Sequence, residues 1–343
     1  MMNIKDIAFP GGGHIVILGA GASIASTILD PEKNGKVLPS MNDLPHVISM
    51  QDLLVRVPKH LYSDNFETLY SNLYIEDPCN PLLSQMNERV YEYFSSLALP
   101  DKPTIYDYMV MALRFKDLIV TFNWDPFLYQ AWCRNKGHGS MPMIRFLHGN
   151  VAIGYDEHDL KPGPAGAYRR DNLHYFKPTP LLYPTGEKNY EEDPFIKREW
   201  TRLKEALHSD TTWRVSIFGY SAPVSDTAAI HLMNSAWGNP DQRNVEQFEL
   251  IDIRPEEEVR KSWESFIHTH HYDYCTNYFQ SSLARCPRRT NESYFLRCFP
   301  TIPEESLHEE FPIPLGGFAS FEEMWTWHQE LIDIEEKLKA NPF

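Results

Sequence analysis

The chain has 343 residues, 42% hydrophobic and 13% aromatic, and a formal net charge of −15. That length suits one large α/β domain with insertions, or two domains. The acidic balance argues against a broad nucleic-acid footprint, which needs clustered Lys and Arg. No apolar run reaches membrane-span length and no secretory signal is visible in MMNIKDIAFPGGG, so a cytoplasmic location is expected. The five cysteines (Cys79, Cys133, Cys275, Cys286 and Cys298) are odd in number, and no two lie within four residues. This spacing excludes a C-x-x-C zinc module and argues for a reducing compartment.

The first predicted element is a buried strand over about 14 to 19, feeding the glycine turn of IVILGAGAS (15–23). A helix is expected just beyond the turn. Backbone N–H groups at a helix N-terminus form an anion site, most often for phosphate. Gly19 and Gly21 allow close backbone approach, and Ser23 adds a hydroxyl. The dehydrogenase fingerprint G-x-G-x-x-G is broken at Ile24, and Asp43 lies in a Pro-rich stretch unsuited to a second strand. The phosphate-loop pattern G-x-x-x-x-G-K-[ST] is absent.

A mostly helical stretch is predicted over 24 to 116, including NFETLYSNLYI (65–75) and MNERVYEYFSSLAL (86–99). KDLIVTFNWD follows, its Leu118–Phe122 run typical of a buried parallel strand. Then come a helix near 126–134, the strand MIRFLHG, and a Gly/Pro/Tyr-rich irregular segment over about 150 to 190. Residues 194–208 read as an amphipathic helix with Phe195, Ile196, Trp200, Leu203 and Leu207 on one side. RVSIFGYS, a helix from Thr227 to Ala236, and FELIDIRP as the last strong strand complete the pattern. The tail beyond 260 ends in a helix over about 321–339. Strands alternating with helices predict a mainly parallel sheet with helices on both faces. Ligands in such folds sit at the strands' carboxyl ends. Five polar or glycine sites fall there: the glycine turn, Asn123 with Asp125, His148 with Gly149, Gly219 with Ser221, and Asp252.

The ordered set GAGAS (19–23), TFNWD (121–125), LHGN (147–150), GYSAPVSD (219–226) and LIDIRP (250–255) resembles the sirtuin-like superfamily. LPSMNDL (38–44) and NFETLYSNL (65–73) further resemble its NAD-consuming branch associated with prokaryotic anti-phage defence. The resemblance implies a Rossmann-like α/β domain over 1–260, with a helical insertion at about 24–116 and the loop at about 150–190. A C-terminal helical extension, 261–343, would pack on the same domain. It implies NAD as substrate and no metal. Gly19, Ala20, Gly21 and Ser23 would hold phosphates. Gly219 and Ser221 would line the phosphate and adenine-side ribose, and Asp252 would accept ribose hydroxyls. Asn123, Asp125 and His148 would surround the nicotinamide ribose as catalytic residues.

Breaking the nicotinamide–ribose bond builds positive charge on the ribose. A polar cage and a placed water are therefore needed more than an acid at the leaving group. Neutral imidazole accepts a proton near pH 7, and an amide both donates and accepts. Asp125 directly precedes Pro126, so it reads equally as a helix cap. His138 competes with His148, but it falls in a loop rather than after an apolar strand.

Compared with protein-deacylating sirtuins, Phe122 replaces Gln and Trp124 replaces Ile, and their Pro-Asp-Phe-Arg loop and zinc-binding cysteine pairs are missing. The expected function is an NAD glycohydrolase, a regulated effector working as a homo-oligomer or with a separately encoded partner. The alternatives are a non-hydrolytic NAD or ADP-ribose binding subunit and, behind it, a protein deacylase or ADP-ribosyltransferase. His268, His270 and His271 read as a packed or solvated patch, Trp325 and Trp327 as core or interface, and Arg169 and Arg170 as an exposed pair.

Overall fold

The computed structural model describes residues 3–9, 11–185, 190–221, 226–238, 247–264, 266–267, 272–300 and 308–340. Among them, six parallel strands form the main sheet: β1 (Gly13–Leu18), β2 (Leu118–Thr121), β3 (Met143–Phe146), β7 (Thr212–Phe218), β8 (Gln247–Ile251) and β9 (Tyr272–Cys275). Three shorter strands, β4 (Ile153–Tyr155), β5 (Pro162–Pro164) and β6 (Lys177–Pro178), make a separate antiparallel sheet. The main sheet has the order β3-β2-β1-β7-β8-β9. The chain builds outward in one direction from β1, then returns to β1's other side with β7. That order defines a doubly wound α/β fold, with the reversal between β1 and β7. The fold is Rossmann-like.

Both faces of the sheet are covered, which is why the runs Ile15–Leu18 and Leu118–Val120 are continuously apolar rather than alternating. Val16 and Leu18 point into one core and Ile15 and Ile17 into the other. The first core is shared with α1 (Ala20–Thr27), α2 (Leu44–Val47), α3 (Gln51–Leu54), α4 (Phe66–Glu76), α5 (Pro81–Ser95), α6 (Ile105–Ala112) and α7 (Phe127–Asn135). The second is covered by α8 (Pro194–His208), α9 (Thr227–Trp237) and α10 (Glu256–Trp263). In α8 the predicted stripe Phe195, Ile196, Trp200, Leu203 and Leu207 is buried. Asp193 caps α8 by accepting the Phe195 and Ile196 N–H groups, ahead of Pro194 in the first turn. The last helices are α11 (Ser282–Arg285), α12 (Thr290–Cys298) and α13 (Phe321–Ala340).

Three expectations change. The helix after the glycine turn begins inside GAGAS, at Ala20, with Gly19 as its N-cap. The segment at 150–190 carries the three-stranded sheet, so its Gly and Pro residues serve short strands and turns. The C-terminal extension is not wholly helical, because Tyr272–Cys275 adds a sixth parallel strand beside β8. That strand lacks the long apolar run that marks the others. α13 does pack on the first core, through Met324 and Ile332.

Candidate active site

The carboxyl ends of the strands lie level. Phe146 pairs with Thr121, Thr121 with Leu18, Leu18 with Phe218 and Phe218 with Ile251, one row across five strands. Each motif follows its member of that row directly, so five segments distant in sequence meet on one edge. A cleft of about 1070 Å³, counting its solvent-filled mouth, opens there. Gly19, Ala20, Asn123, Asp125, His148, Gly219 and Ser221 line it. Leu38 to Met41, Glu67 and Phe94 close it from the helical insertion, and Phe122, Trp124 and Tyr220 form aromatic walls.

The glycines are required first by chain packing. A Cβ on Gly19 would lie 2.6 Å from the Gly219 carbonyl oxygen, and one on Gly219 would lie 2.5 Å from the Ala22 nitrogen. Gly219 also has φ +58, in the left-handed region. The turns after β1 and β7 therefore touch backbone to backbone. This contact consumes donors that the sequence suggested were bare. Gly19 N–H donates to Phe218 O at 3.0 Å, Gly21 N–H to Gly219 O at 2.9 Å, and Ala22 N–H to Gly19 O at 3.1 Å. Among the described residues, Ala20 N–H meets no acceptor, and Ala20 is exposed in the cleft.

Ser23 does not face the cleft, which corrects the reading of its hydroxyl as a phosphate ligand. It is fully buried, donates to Asp125 Oδ2 at 2.7 Å, and lies 2.7 Å from the Tyr106 hydroxyl. Asn123 Nδ2 donates to Gly19 O at 2.8 Å and to Ser23 Oγ at 2.9 Å. Its Oδ1 meets no donor among the described residues. Asp125 Oδ1 accepts the Phe127 N–H at 3.1 Å, capping the start of α7, so the structural reading of Asp125 holds while the residue still lines the cleft. Burial raises its pKa to about 6, against the opposing pull of the Ser23 hydroxyl. Tyr106, missed in the sequence, closes this network; burial and the nearby Asp125 charge drive its phenol pKa upward.

His148 is buried at the cleft wall, 3.2 Å from the Tyr190 hydroxyl through Nε2, with its ring edge-on to Phe122 at 4.8 Å. Trp200 on α8 donates to Leu147 O at 3.0 Å and so fixes the turn that carries His148. Asn150 holds the far side, its Nδ2 donating to Asp125 O at 2.6 Å and Asn123 O at 3.2 Å. Gly149 has φ +76, and a Cβ there would meet Pro180 O at 1.8 Å, so LHGN tolerates no side chain at its glycine. Phe122 and Tyr220 stack at 4.2 Å, 7° from parallel, and Tyr220 donates to Asp226 at 2.7 Å.

Asp252 follows β8 but does not line the cleft; Arg254 pairs with its carboxylate at 2.7 Å. His138 stacks on Trp325 at 3.8 Å, far from the role considered for it. Trp325 donates to Asn135 at 2.7 Å and Trp327 stacks on Phe311 at 4.5 Å, so both serve the packing of α13. Arg169 is not an exposed arginine: it bridges Asp156, Asp159 and Asp171, whereas Arg170 is exposed. His268, His270, His271 and the 222–225 part of GYSAPVSD lie outside the described residues.

Among the described lining residues there are three carboxylates (Glu67, Asp125 and Asp226) and no Lys or Arg. Such a cleft favours positive charge near the carboxylates and leaves anion binding to backbone donors.

No family profile and no curated protein matches the chain. Among solved structures it is similar to Sir2 homologues. One, a complex with 2'-O-acetyl ADP-ribose, is 13% identical at TM-score 0.38, covering 78% of this chain and 96% of that one. A second, bound to ADP-ribose, is 11% identical at TM-score 0.36, covering 99% and 98%. A third, a Sir2 homolog–NAD complex, is 10% identical at TM-score 0.33, covering 79% and 85%. No helix among the described residues is long and apolar enough to cross a membrane.

Proposed function

We propose that this chain is a sirtuin-like NAD glycohydrolase, cleaving NAD with water to nicotinamide and ADP-ribose. The observation that carries the reading is the convergence of Asn123, Asp125 and His148 beside the glycine turn, in an aromatic cleft whose described lining residues include three carboxylates and no Lys or Arg.

The chemistry suits these groups. As the bond between ribose C1′ and the pyridinium nitrogen breaks, nicotinamide leaves with the electron pair and needs no proton. Positive charge grows on the ribose, where the cleft's carboxylates stabilise it. Water adds to C1′ and loses one proton, which the His148 imidazole accepts. Asn123 Oδ1 accepts from a ribose hydroxyl or from that water, its Nδ2 being held by Gly19 and Ser23. Ala20 N–H and the α1 terminus face the diphosphate. Hydrolysis needs no acyl-lysine channel and no zinc module.

A second reading, a non-hydrolytic NAD or ADP-ribose binding subunit, draws support from the same contacts. The Asn123 amide N–H groups and His148 Nε2 are already engaged within the protein. Incubating the purified full chain with NAD separates the two. Nicotinamide and ADP-ribose released one to one support hydrolysis. Binding without product, unaffected by His148→Ala, selects the second reading, and absence of binding removes both.

The motif resemblance extends the proposal to a regulated effector of anti-phage defence, silent until an oligomer or partner activates it. NAD loss in infected cells that depends on Asn123 tests this.

A further inference from the structure

The excursion between β3 and α8 carries a second polar cluster, at the far end of its small sheet from the cleft. Asp156 follows β4, His158 sits in the next turn, and His174 precedes β6. One ligand-capable atom from each of the three lies within 4.8 Å of the others. The imidazole rings are 4.4 Å apart. Asp156 is buried to 1% exposure, yet its Oδ2 receives both His174 Nδ1 at 2.9 Å and Arg169 Nη1 at 2.8 Å. Burial pushes this carboxyl up, but the His158 N–H, Arg169 and His174 together hold its pKa down.

The geometry points to a site for a divalent transition-metal ion of the zinc class, ligated by Asp156, His158 and His174. Two imidazoles and a carboxylate select zinc-like ions over magnesium or calcium, which prefer all-oxygen sites. Tetrahedral zinc with bonds of about 2.1 Å sets ligand atoms roughly 3.4 Å apart, between the 2.9 Å that separates Asp156 Oδ2 from His174 Nδ1 and the 4.8 Å within which the three residues' ligand atoms lie. Arg169 does not bar the ion. It also pairs with Asp171, at 3.0 Å through Nε and 2.8 Å through Nη2, and with Asp159 at 2.7 Å. Releasing Asp156 costs it one bond of four. Three aspartates against one arginine leave the cluster net negative.

The ion's role is structural. The same sheet runs back to the cleft: Thr179 N–H donates to Ile153 O at 2.9 Å, and Thr179 Oγ1 exchanges hydrogen bonds with Asn150, which braces Asn123 and Asp125. Pinning Asp156 to His174 therefore pins the base on which Asn150 rests. This departs from the sequence-based expectation of no metal and does not depend on the NAD reading.

The test uses the untagged full chain, stripped with a chelator and titrated with Co2+ and then Zn2+. One Co2+ per chain, with the visible absorption of a low-coordinate site and displaced by Zn2+, is expected. Zn2+ should also raise the Tm. His174→Ala and His158→Ala should each weaken binding at least tenfold and abolish the Tm rise. His158 is exposed, so its variant keeps the fold even if the His174 variant does not. Absence of Co2+ binding at micromolar levels, or binding unchanged in the His158 variant, overturns the proposal and leaves Arg169 as the cluster's cation.

Discussion

Asn123 donates to the backbone oxygen of Gly19 at 2.8 Å, tying the end of β2 to the glycine turn after β1. The candidate catalytic amide is therefore also a strut. Asn123→Ala should abolish NAD turnover and cost about 1–3 kcal/mol of stability, because two hydrogen bonds, to Gly19 O and Ser23 Oγ, are lost at about 0.5–1.5 kcal/mol each. Urea denaturation beside a nicotinamide-release assay checks both. Turnover at wild-type rate would remove Asn123 from the mechanism.

Asp125 provides a pH signature. Its folded pKa of about 6 lies above the ordinary carboxyl value of 3.8. The folded state thus binds the proton more tightly, and stability from this group is complete below about pH 4 and lost as pH rises through 6. Asp125→Asn lacks that loss. The variant should gain on wild type between pH 4 and 7 by an amount on the order of 3 kcal/mol. Denaturation midpoints compared across that range decide it; a constant difference would place the carboxyl at its ordinary value.

Gly219→Ala should destabilise by roughly 2–4 kcal/mol, from the left-handed backbone and the overpacking against Ala22. NAD binding should fall further than stability alone explains, since the β1 and β7 turns must separate. A thermal melt and calorimetric titration at a temperature where the variant is folded distinguish the effects. Wild-type affinity in a folded variant would show that the two turns need not touch.

Tyr190→Phe removes the hydroxyl 3.2 Å from His148 Nε2 while keeping the ring. Stability should change by less than about 1.5 kcal/mol, the net worth of one such hydrogen bond. The pH–rate profile of NAD cleavage should shift, because the partner sets the imidazole's tautomer and basicity. An unchanged profile would take His148 out of proton transfer.

Strong local signals made the architecture legible. The runs IVIL and LIVT, and the stripe from Phe195 to Leu207, bury on both faces of one sheet, and apolar periodicity records burial directly. Strand β9 carries the mixed sequence YDYC at the sheet's edge, so the same signal missed it. The short strands of the excursion escaped because each has only two or three residues, IGY, PGP and KP, too few to show a period.

The sequence by itself determined the class of fold and the edge of the sheet where polar groups gather, because strand ends and glycine turns are local features. Only the tertiary structure decided which way each group points. It turned Ser23 inward to Asp125, gave Asp252 to Arg254, pressed Gly19 against Gly219 and brought Tyr106, Tyr190 and Asn150 in as supports. Apart from the Asp252–Arg254 pair, two residues apart, those outcomes depend on contacts between segments tens to hundreds of residues apart, where packing and hydrogen-bond satisfaction choose among partners that no local pattern ranks.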